Sequence, residues 1–181
     1  MEYRSSRGFP TEYGLLGLLL DGPAHGYDLQ QRLHATLGSV WRVAWSQLYS
    51  VLHGLEGKGW VAAAAGASPG GPPRHTYSIT EQGRRAFFEW ALVPVARLRD
   101  LRIEFLVKLH FLKQHAPGEL DPLLSRQARA LGQAAADPSA SGGDPWTASV
   151  ALSFRRHQTE SALAWIDEVR GSLKSSRKDE R

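Results

Sequence analysis

The sequence predicts a mainly α-helical protein with a single small β-hairpin. Three short helical patterns precede the hairpin, and the chain beyond residue 94 is helical in pattern almost throughout. The stretch Ser46–Ile79 combines an amphipathic helix, a turn and two short strands around a loop rich in Gly and Pro. Three helices followed by a hairpin is the order of elements in a winged helix-turn-helix. We therefore expect an N-terminal winged helix-turn-helix and a C-terminal helical region.

The first two helices are predicted from their apolar spacing and their breakers. Thr11 is placed to cap a helix that runs to Leu20, and Asp21-Gly22-Pro23 ends it. A second helix is expected from about His25 to Leu37. One row of this helix, spaced by four residues, is predicted to be buried, and it consists of Leu29, Leu33 and Leu37.

The third helix has one apolar and one polar face. Ser46 is its expected N-cap, and Gly59 ends it because glycine adopts positive φ at little cost. The apolar face carries Leu48, Val51, Leu52 and Leu55. The polar face carries Gln47, Tyr49, Ser50, His53 and Lys58. Trp41 and Trp45 lie just before this helix, where large aromatic residues favour core packing over ligand contact.

The hairpin and the helix after it complete the N-terminal unit. Trp60–Ala64 and His75–Ile79 are the expected strands, and Gly66–Pro73 is the loop between them. Thr80 is expected to cap a helix that reaches about Trp90. Pro94 disfavours a helical residue before it, so we place the domain boundary there, with a winged domain over residues 1–94 and a helical domain over 95–181.

The C-terminal half is predicted to contain three helices. Leu98–Lys113 is apolar on two faces and needs neighbours on both sides, one of which we expect to be another subunit. Glu119–Ala136 and Trp146–Leu173 follow, and the last of these has the apolar spacing of a coiled-coil seam. The charged stretch Ser175–Arg181 is predicted to be a disordered tail. These patterns favour a homodimer formed through the C-terminal helices.

Composition permits a nucleic-acid partner without demanding one. The 181 residues carry a formal charge of +4 with a pI of about 9.6. Residues 1–94 hold eight Lys/Arg against seven Asp/Glu, and residues 95–181 hold fourteen against eleven, so the winged half is nearly neutral. There is no cysteine and no apolar run long enough to cross a membrane, and we expect a cytoplasmic protein.

Neither a metal site nor a catalytic site is predicted. His110 and His115 are five residues apart, which does not place both on one helix face, and no carboxylate stands at a supporting offset. No nucleophile elbow, P-loop or Rossmann glycine pattern is present. We therefore expect no cofactor and no enzymatic activity.

Several motifs resemble the PadR family of bacterial transcriptional regulators. They are GLLGLLLDGPAHGYDLQQRL at 14–33, SQLYSVLHGLEGKGWV at 46–61 and PPRHTYSITEQGRRAFFEW at 72–90, and the later RIEFLVKLHFL at 102–112 is also similar. The resemblance implies a homodimeric winged-helix repressor whose third helix enters the DNA major groove, on a partly palindromic operator. It also implies that the wing, Gly66–Arg74, lies near the minor groove or the backbone.

The resemblance assigns DNA-contacting roles residue by residue: Ser46, Gln47 and Ser50 as base-facing residues, Tyr49 as the family's tyrosine, and Arg74 and His75 as basic wing residues. Lys58 is added as the only formal cation of the helix. Two glycines within the helix, Gly54 and Gly57, should each cost about 0.8–1 kcal/mol relative to Ala. Together with the near-neutral winged half they leave open an alternative, a dimeric adaptor or ligand-binding scaffold without DNA binding.

Six tryptophans in a chain of this length suggest an apolar pocket for a small aromatic effector. The residues expected to line it, between the winged domain and the dimer helices, are Trp90, Phe105, Phe111, Trp146 and Trp165. Core packing is the alternative interpretation for each of them. The sequence does not distinguish an effector that releases DNA from one that tightens binding.

Overall fold

The computed structural model describes residues 10–38, 43–66, 74–135 and 144–179. In these ranges the α-helices are α1 (Pro10–Leu19), α2 (Gly26–Leu37), α3 (Trp45–Gly57), α4 (Glu81–Ala91), α5 (Glu104–His115), α6 (Leu120–Ala135) and α7 (Pro145–Asp179). The strands are β1 (Ala24–His25), β2 (Val61–Gly66) and β3 (Arg74–Ile79), and short 3-10 helices span Leu98–Arg102 and Pro117–Glu119. The predicted fold class, mainly helical with a small antiparallel sheet in a winged-helix arrangement, is confirmed.

Helix α1 forms the centre of the core. It is apolar on nearly every face because α2, α3, α4 and α5 all pack around it. Its almost fully buried apolar residues are Tyr13, Leu15, Leu16, Leu18 and Leu19. Gly17 permits the close approach of α5, since a Cβ at this position would overlap the ring of Phe111.

Two of the predicted helix caps are wrong. Helix α1 begins one residue before Thr11, so that residue lies inside the helix and is buried. Helix α3 begins at Trp45, with Ala44 in the N-cap position and no side chain bonded to the free N–H groups. Ser46 therefore lies in the first turn, and its hydroxyl remains on the exposed surface.

The predicted hairpin is formed by β2 and β3. Its antiparallel register runs from Val61 opposite Ile79 to Gly66 opposite Arg74. Gly59, with φ of +69°, makes the turn from α3 into β2, as the sequence predicted. Only residues 58–60 separate the end of α3 from β2, so the start of the hairpin stays beside that helix.

A third strand, β1, was missed by the sequence analysis. Ala24 pairs with Tyr77 and His25 with Thr76, so the sheet order is β1-β3-β2. His25 Nδ1 also lies 3.2 Å from the carbonyl oxygen of His75, to which it donates a hydrogen bond. Two residues directly before a helix carry no period-2 pattern, and therefore nothing in the sequence marks them as a strand.

Helix α4 begins as predicted. The Oγ1 of Thr80 accepts a hydrogen bond of 3.1 Å from the Gly83 N–H and donates one of 2.7 Å to the Gly59 carbonyl. This cap ties the start of α4 to the turn that follows α3. Phe87 and Trp90 are buried in the core, also as predicted.

The predicted helix Leu98–Lys113 is divided in two. Ile103, with φ of −122°, interrupts the helical backbone between the 3-10 segment and α5. The second neighbour of α5 belongs to the same chain: Phe105 meets Trp165 of α7 edge to face, with ring centroids 6.1 Å apart. A contact between this helix and another subunit stays a prediction.

Helices α6 and α7 pack against each other. Arg170 of α7 donates to Asp121 Oδ1 at 2.9 Å and to Ser125 Oγ at 3.1 Å, both on α6. Helix α7 continues to Asp179, so the prediction of a disordered tail is wrong for residues 175–179.

In the described ranges, no helix combines the length and the apolarity that a membrane crossing requires.

The predicted domain boundary at Pro94 falls in the linker between α4 and the 3-10 helix. Helix α5 packs on α1 across this boundary, so the winged unit and the helical region share part of one core. The division into domains 1–94 and 95–181 stays a prediction.

Candidate nucleic-acid interface

The polar face of α3 carries four of the residues predicted to contact DNA. A fully buried row on the opposite face, consisting of Leu48, Leu52 and Leu55, holds the helix against the core. The four exposed residues are Ser46, Gln47, Tyr49 and Ser50. Hydroxyl and amide groups of this kind donate hydrogen bonds to phosphates, and a glutamine can pair with adenine. The local helical geometry thus brings these four side chains onto one accessible surface.

Two further aromatic residues extend this surface, and the sequence analysis missed both. The Trp45 ring stacks on Tyr27, with centroids 5.5 Å apart, and on Tyr49, with centroids 6.4 Å apart. Their exposed fractions are 55% for Tyr27, 43% for Trp45 and 41% for Tyr49. We call these three residues the aromatic stack. The predicted core role of Trp45 is wrong, because it begins α3 on the exposed side, and Trp41 lies outside the described residues.

Contacts with α2 fix the orientation of the aromatic stack. The Tyr49 ring lies against Gly26, where a Cβ would approach its hydroxyl and ring carbons to 3.0 Å or less. Gln31 Nε2 donates a 2.8 Å hydrogen bond to Tyr27 Oη. Tyr49 therefore both packs against the second helix and keeps an exposed edge. Only the fold reveals this, because the residues come from two different helices.

Lys58, the only formal cation predicted for this helix, is engaged by its own chain. Its Nζ lies 2.8 and 2.9 Å from the two carboxylate oxygens of Glu12 on α1. It also lies 4.9 Å from the centroid of the Trp60 ring. Lys58 follows the last turn of α3, where a positive charge is favourable beside the helix dipole. Ser46 lies at the other end of α3, so Ser46 and Lys58 are about 18 Å apart along the helix axis.

The wing places His75 at the surface. This residue lies on β3, where its side chain is exposed and its ring is 6.4 Å from that of Tyr77. The backbone of Arg74 pairs with Gly66 at the loop end of the hairpin, but the arginine side chain and residues 67–73 lie outside the described residues. Strand pairing thus connects the wing to the turn before α2 through His25.

The five aromatic residues predicted to line an effector pocket do not come together. Trp90 stacks on Tyr13 at 4.4 Å, and Phe111 belongs to the same cluster through Phe87. Phe105 is fully buried against Trp165. Trp146, at the start of α7, is 73% exposed. Core packing is therefore the interpretation that fits Trp90, Phe105 and Phe111, and the pocket as predicted is not formed.

Titratable groups in the described ranges form no metal centre: no group of three or more His, Cys, Asp or Glu side chains there could hold an ion. The hydrogen bond that His25 donates to the His75 carbonyl gives His25 a structural role. His110 is partly buried, and burial lowers the pKa of its imidazole below 6.5.

Comparison with known proteins identifies the N-terminal unit. Residues 15–89 match the model of the transcriptional regulator PadR-like family. The chain carries a PadR-like domain. The match covers α1 to α4 together with the sheet, so it contains the polar face of α3, the aromatic stack and the wing. It ends before the linker and the C-terminal helices.

Relatives extend the likeness beyond the PadR-like domain. The probable transcriptional regulator Rv1176c of Mycobacterium tuberculosis is 26% identical over 189 residues, which covers 91% of this chain and 98% of the relative. The negative transcriptional regulator PadR of Bacillus subtilis is 27% identical over 123 residues, covering 65% and 68%. The crystal structure of Bacillus subtilis PadR in complex with operator DNA has a TM-score of 0.49 at 20% identity, covering 93% and 99%. The predicted resemblance to the PadR family is confirmed for residues 15–89.

Proposed function

We propose that this PadR-like regulator is a cytoplasmic homodimeric repressor that binds a partly palindromic operator through α3. The observation that carries the proposal is the polar face of α3, which is exposed while the opposite face is anchored in the core. Gln47 and Ser50 are assigned to the bases and Tyr49 to a phosphate, with Ser46 beside them. A two-fold dimer would present its two α3 helices to half-sites about 34–36 Å apart, or a multiple of that distance.

The repressor role draws on the relatives. One of them is named a negative transcriptional regulator. The other is named a probable transcriptional regulator, and almost its whole length aligns with this chain. Lys58, Arg74 and His75 are assigned to the phosphate backbone. Of the two formal cations, Arg74 should carry more of the attraction, because Glu12 already neutralises Lys58.

The dimer is proposed to form through α7. The first part of this helix leaves an apolar row exposed at a spacing of four residues, formed by Trp146, Val150 and Phe154. A cavity of about 490 Å³ lies beside this row, between the 3-10 segment and α7, and its apolar walls include Leu98, Leu101 and Phe154. A second copy of the chain, related by two-fold symmetry, would cover both features at once.

We also propose that a small aromatic effector releases the repressor from DNA. Its support is the aromatic content of the chain, of which the aromatic stack remains exposed. Flat rings stack favourably on such side chains. A panel of aromatic compounds that changes neither tryptophan fluorescence, nor melting temperature, nor operator affinity would refute this part of the proposal.

The first experiment is a fluorescence-anisotropy titration of the protein with DNA from its own upstream region, at several salt concentrations. We expect specific binding above that of a scrambled duplex, falling steeply as salt rises because phosphate contacts release counterions. Arg74→Ala should lower the salt slope by about one. Lys58→Ala should lower it by less, since its charge is already paired.

Gln47→Ala tests base reading by α3. It should relax the preference at one base pair by roughly 1–3 kcal/mol, the usual value of a good side-chain contact to a base. Gln114→Ala, an exposed glutamine on α5, is the matched control and should leave the preference unchanged. If the unmodified protein binds its own upstream DNA and the scrambled duplex equally, the alternative of a dimeric adaptor without DNA binding is favoured instead.

A further inference from the structure

The linker between α4 and the 3-10 helix is held by two buried polar side chains. Lys108 of α5 is fully buried, and its Nζ donates a 2.7 Å hydrogen bond to the carbonyl oxygen of Val93. Gln127 of α6, also fully buried, accepts a 2.7 Å bond from the Val95 N–H and donates a 3.1 Å bond to the Val95 carbonyl. We call Lys108 and Gln127 the linker clasp.

The ammonium group of Lys108 has three partners in the interior. Besides the Val93 carbonyl, it lies 3.0 Å from Glu104 Oε1 and 4.7 Å from the centroid of the Trp90 ring. Trp90 Nε1 donates to the same carboxylate oxygen at 3.1 Å. Burial lowers the pKa of Lys108, and the charge of Glu104 opposes that shift. Because burying a charge costs free energy, the ammonium group of Lys108 adds little net stability. Its contribution is to fix the geometry of the groups around it.

The linker clasp connects the linker both to the winged unit and to the C-terminal helices. Trp90 stacks on Tyr13 of α1 with an interplanar angle of 2°, so Lys108 is coupled to the centre of the winged unit. Gln127 couples the same linker to α6, which in turn holds α7 through Arg170. Both residues bind backbone atoms of the linker, and the path of the main chain therefore depends on them.

We propose that Lys108 and Gln127 are positioning residues that fix the orientation of the winged unit on the helical region. Through that orientation they set the half-site spacing that the dimer accepts, a consequence that rests on the proposed function. Two α3 helices held at a fixed separation discriminate between half-site spacings, whereas loosely held helices accept several spacings.

The orientation is measured without DNA. The sequence contains no cysteine, so Ser50→Cys on α3 and Arg129→Cys on α6, both exposed, give one spin-label pair per chain. An excess of unlabelled protein leaves most dimers with one labelled chain, so that only distances within a chain are measured. We expect Lys108→Met and Gln127→Leu to broaden the distance distribution. Leu131→Ala, which creates a cavity one turn further along the same helix, controls for lost stability and should leave the width unchanged.

The consequence for DNA is measured with operators whose half-site spacing is altered by one or two base pairs. In the clasp variants the ratio of affinities for the preferred and altered spacings should fall by about 3- to 10-fold, within the usual range of coupling through a packed network. The Leu131→Ala protein should keep the ratio.

The outcomes separate the two proposals. An unchanged distance distribution in both clasp variants would overturn the positioning role, whether or not the protein binds DNA. A broadened distribution with an unchanged spacing preference would overturn the step from orientation to spacing. Failure of the unmodified protein to bind any operator would overturn the proposed function, and the distance measurement alone would then decide the role of the clasp.

Discussion

His110 is a residue whose surroundings make a pH-dependent contribution to stability. Its Nε2 is buried, with no hydrogen-bond partner in the described part of the chain. Burial lowers its pKa below 6.5, the nearby His115 and Lys113 lower it further, and Asp21 acts in the opposite direction. The neutral imidazole is therefore favoured in the folded state relative to the unfolded chain.

We expect the free energy of unfolding to fall as the pH drops below 6.5 towards the folded-state pKa, because the unfolded chain then binds a proton that the fold resists. The contribution of His110 to stability is fully present above pH 6.5. Below that pH, one proton changes the free energy of unfolding by at most about 1.4 kcal/mol per pH unit. Urea unfolding between pH 5 and 8 measures it. His110→Leu should flatten the acid branch, and an identical slope in this variant would contradict the assignment.

Lys58 illustrates how a residue's role depends on partners that are distant in sequence. Glu12 is 46 positions away, yet its carboxylate receives both hydrogen bonds of the lysine. A partly exposed pair of this kind contributes about 0.2–1 kcal/mol to stability, and it occupies the lysine before any phosphate can. The sequence predicts the exposure of Lys58 from helical phase, but it cannot predict that α1 supplies a competing anion.

Helix α3 contains two glycines that have no packing role in this chain. A Cβ at Gly54 or at Gly57 would meet nothing within 4 Å, and the same holds for Gly132 of α6. Gly54 lies on the polar face between Gln47 and Ser50 in helical phase. A missing side chain at that point lets the helix backbone approach another molecule closely.

Gly54→Ala should therefore stabilise the fold and weaken operator binding. We expect the free energy of unfolding to rise by about 0.8–1 kcal/mol, because alanine is the better helix former. Gly132→Ala should give a similar gain in urea unfolding while leaving operator affinity unchanged, which makes it the matched control. Unaltered DNA affinity in Gly54→Ala would show that this part of α3 does not approach the duplex.

At the scale of elements, helical phase and turn chemistry predicted most of the winged unit. The buried row of α3, the cap at Thr80 and the turn at Gly59 all follow from local rules that act within a few residues. Strand β1 and the division of the helix at Ile103 do not follow from such rules. Both depend on tertiary partners, namely the edge of β3 and the packing around α5.

At the scale of the whole molecule, the exposed row at the start of α7 determines the expected assembly. Phe154 is 62% exposed and lies on this row, whereas Leu152 is exposed on another side of the same helix. Burying a phenylalanine side chain stabilises an interface by about 1.5–3 kcal/mol, and a two-fold dimer buries it twice.

Phe154→Ser should consequently weaken the dimer by about 3–6 kcal/mol, again counting both copies. Sedimentation analysis over a range of concentrations should show the variant as a monomer where the unmodified protein is dimeric. Leu152→Ser is the control from the same helix and should remain dimeric. A dimer that withstands Phe154→Ser would place the interface on another surface.

The sequence by itself determined the elements whose causes are local: the amphipathic face of α3, the hairpin beside it and the helical C-terminal half. Its motifs also identified the PadR-like domain. Tertiary structure alone decided which chemically similar residues share a site. It stacked Tyr27 and Tyr49 on Trp45, paired Lys58 with Glu12 and closed Lys108 and Gln127 on the linker. Periodicity reports which face of an element is buried, whereas the identity of the neighbour depends on how the chain returns from far along the sequence.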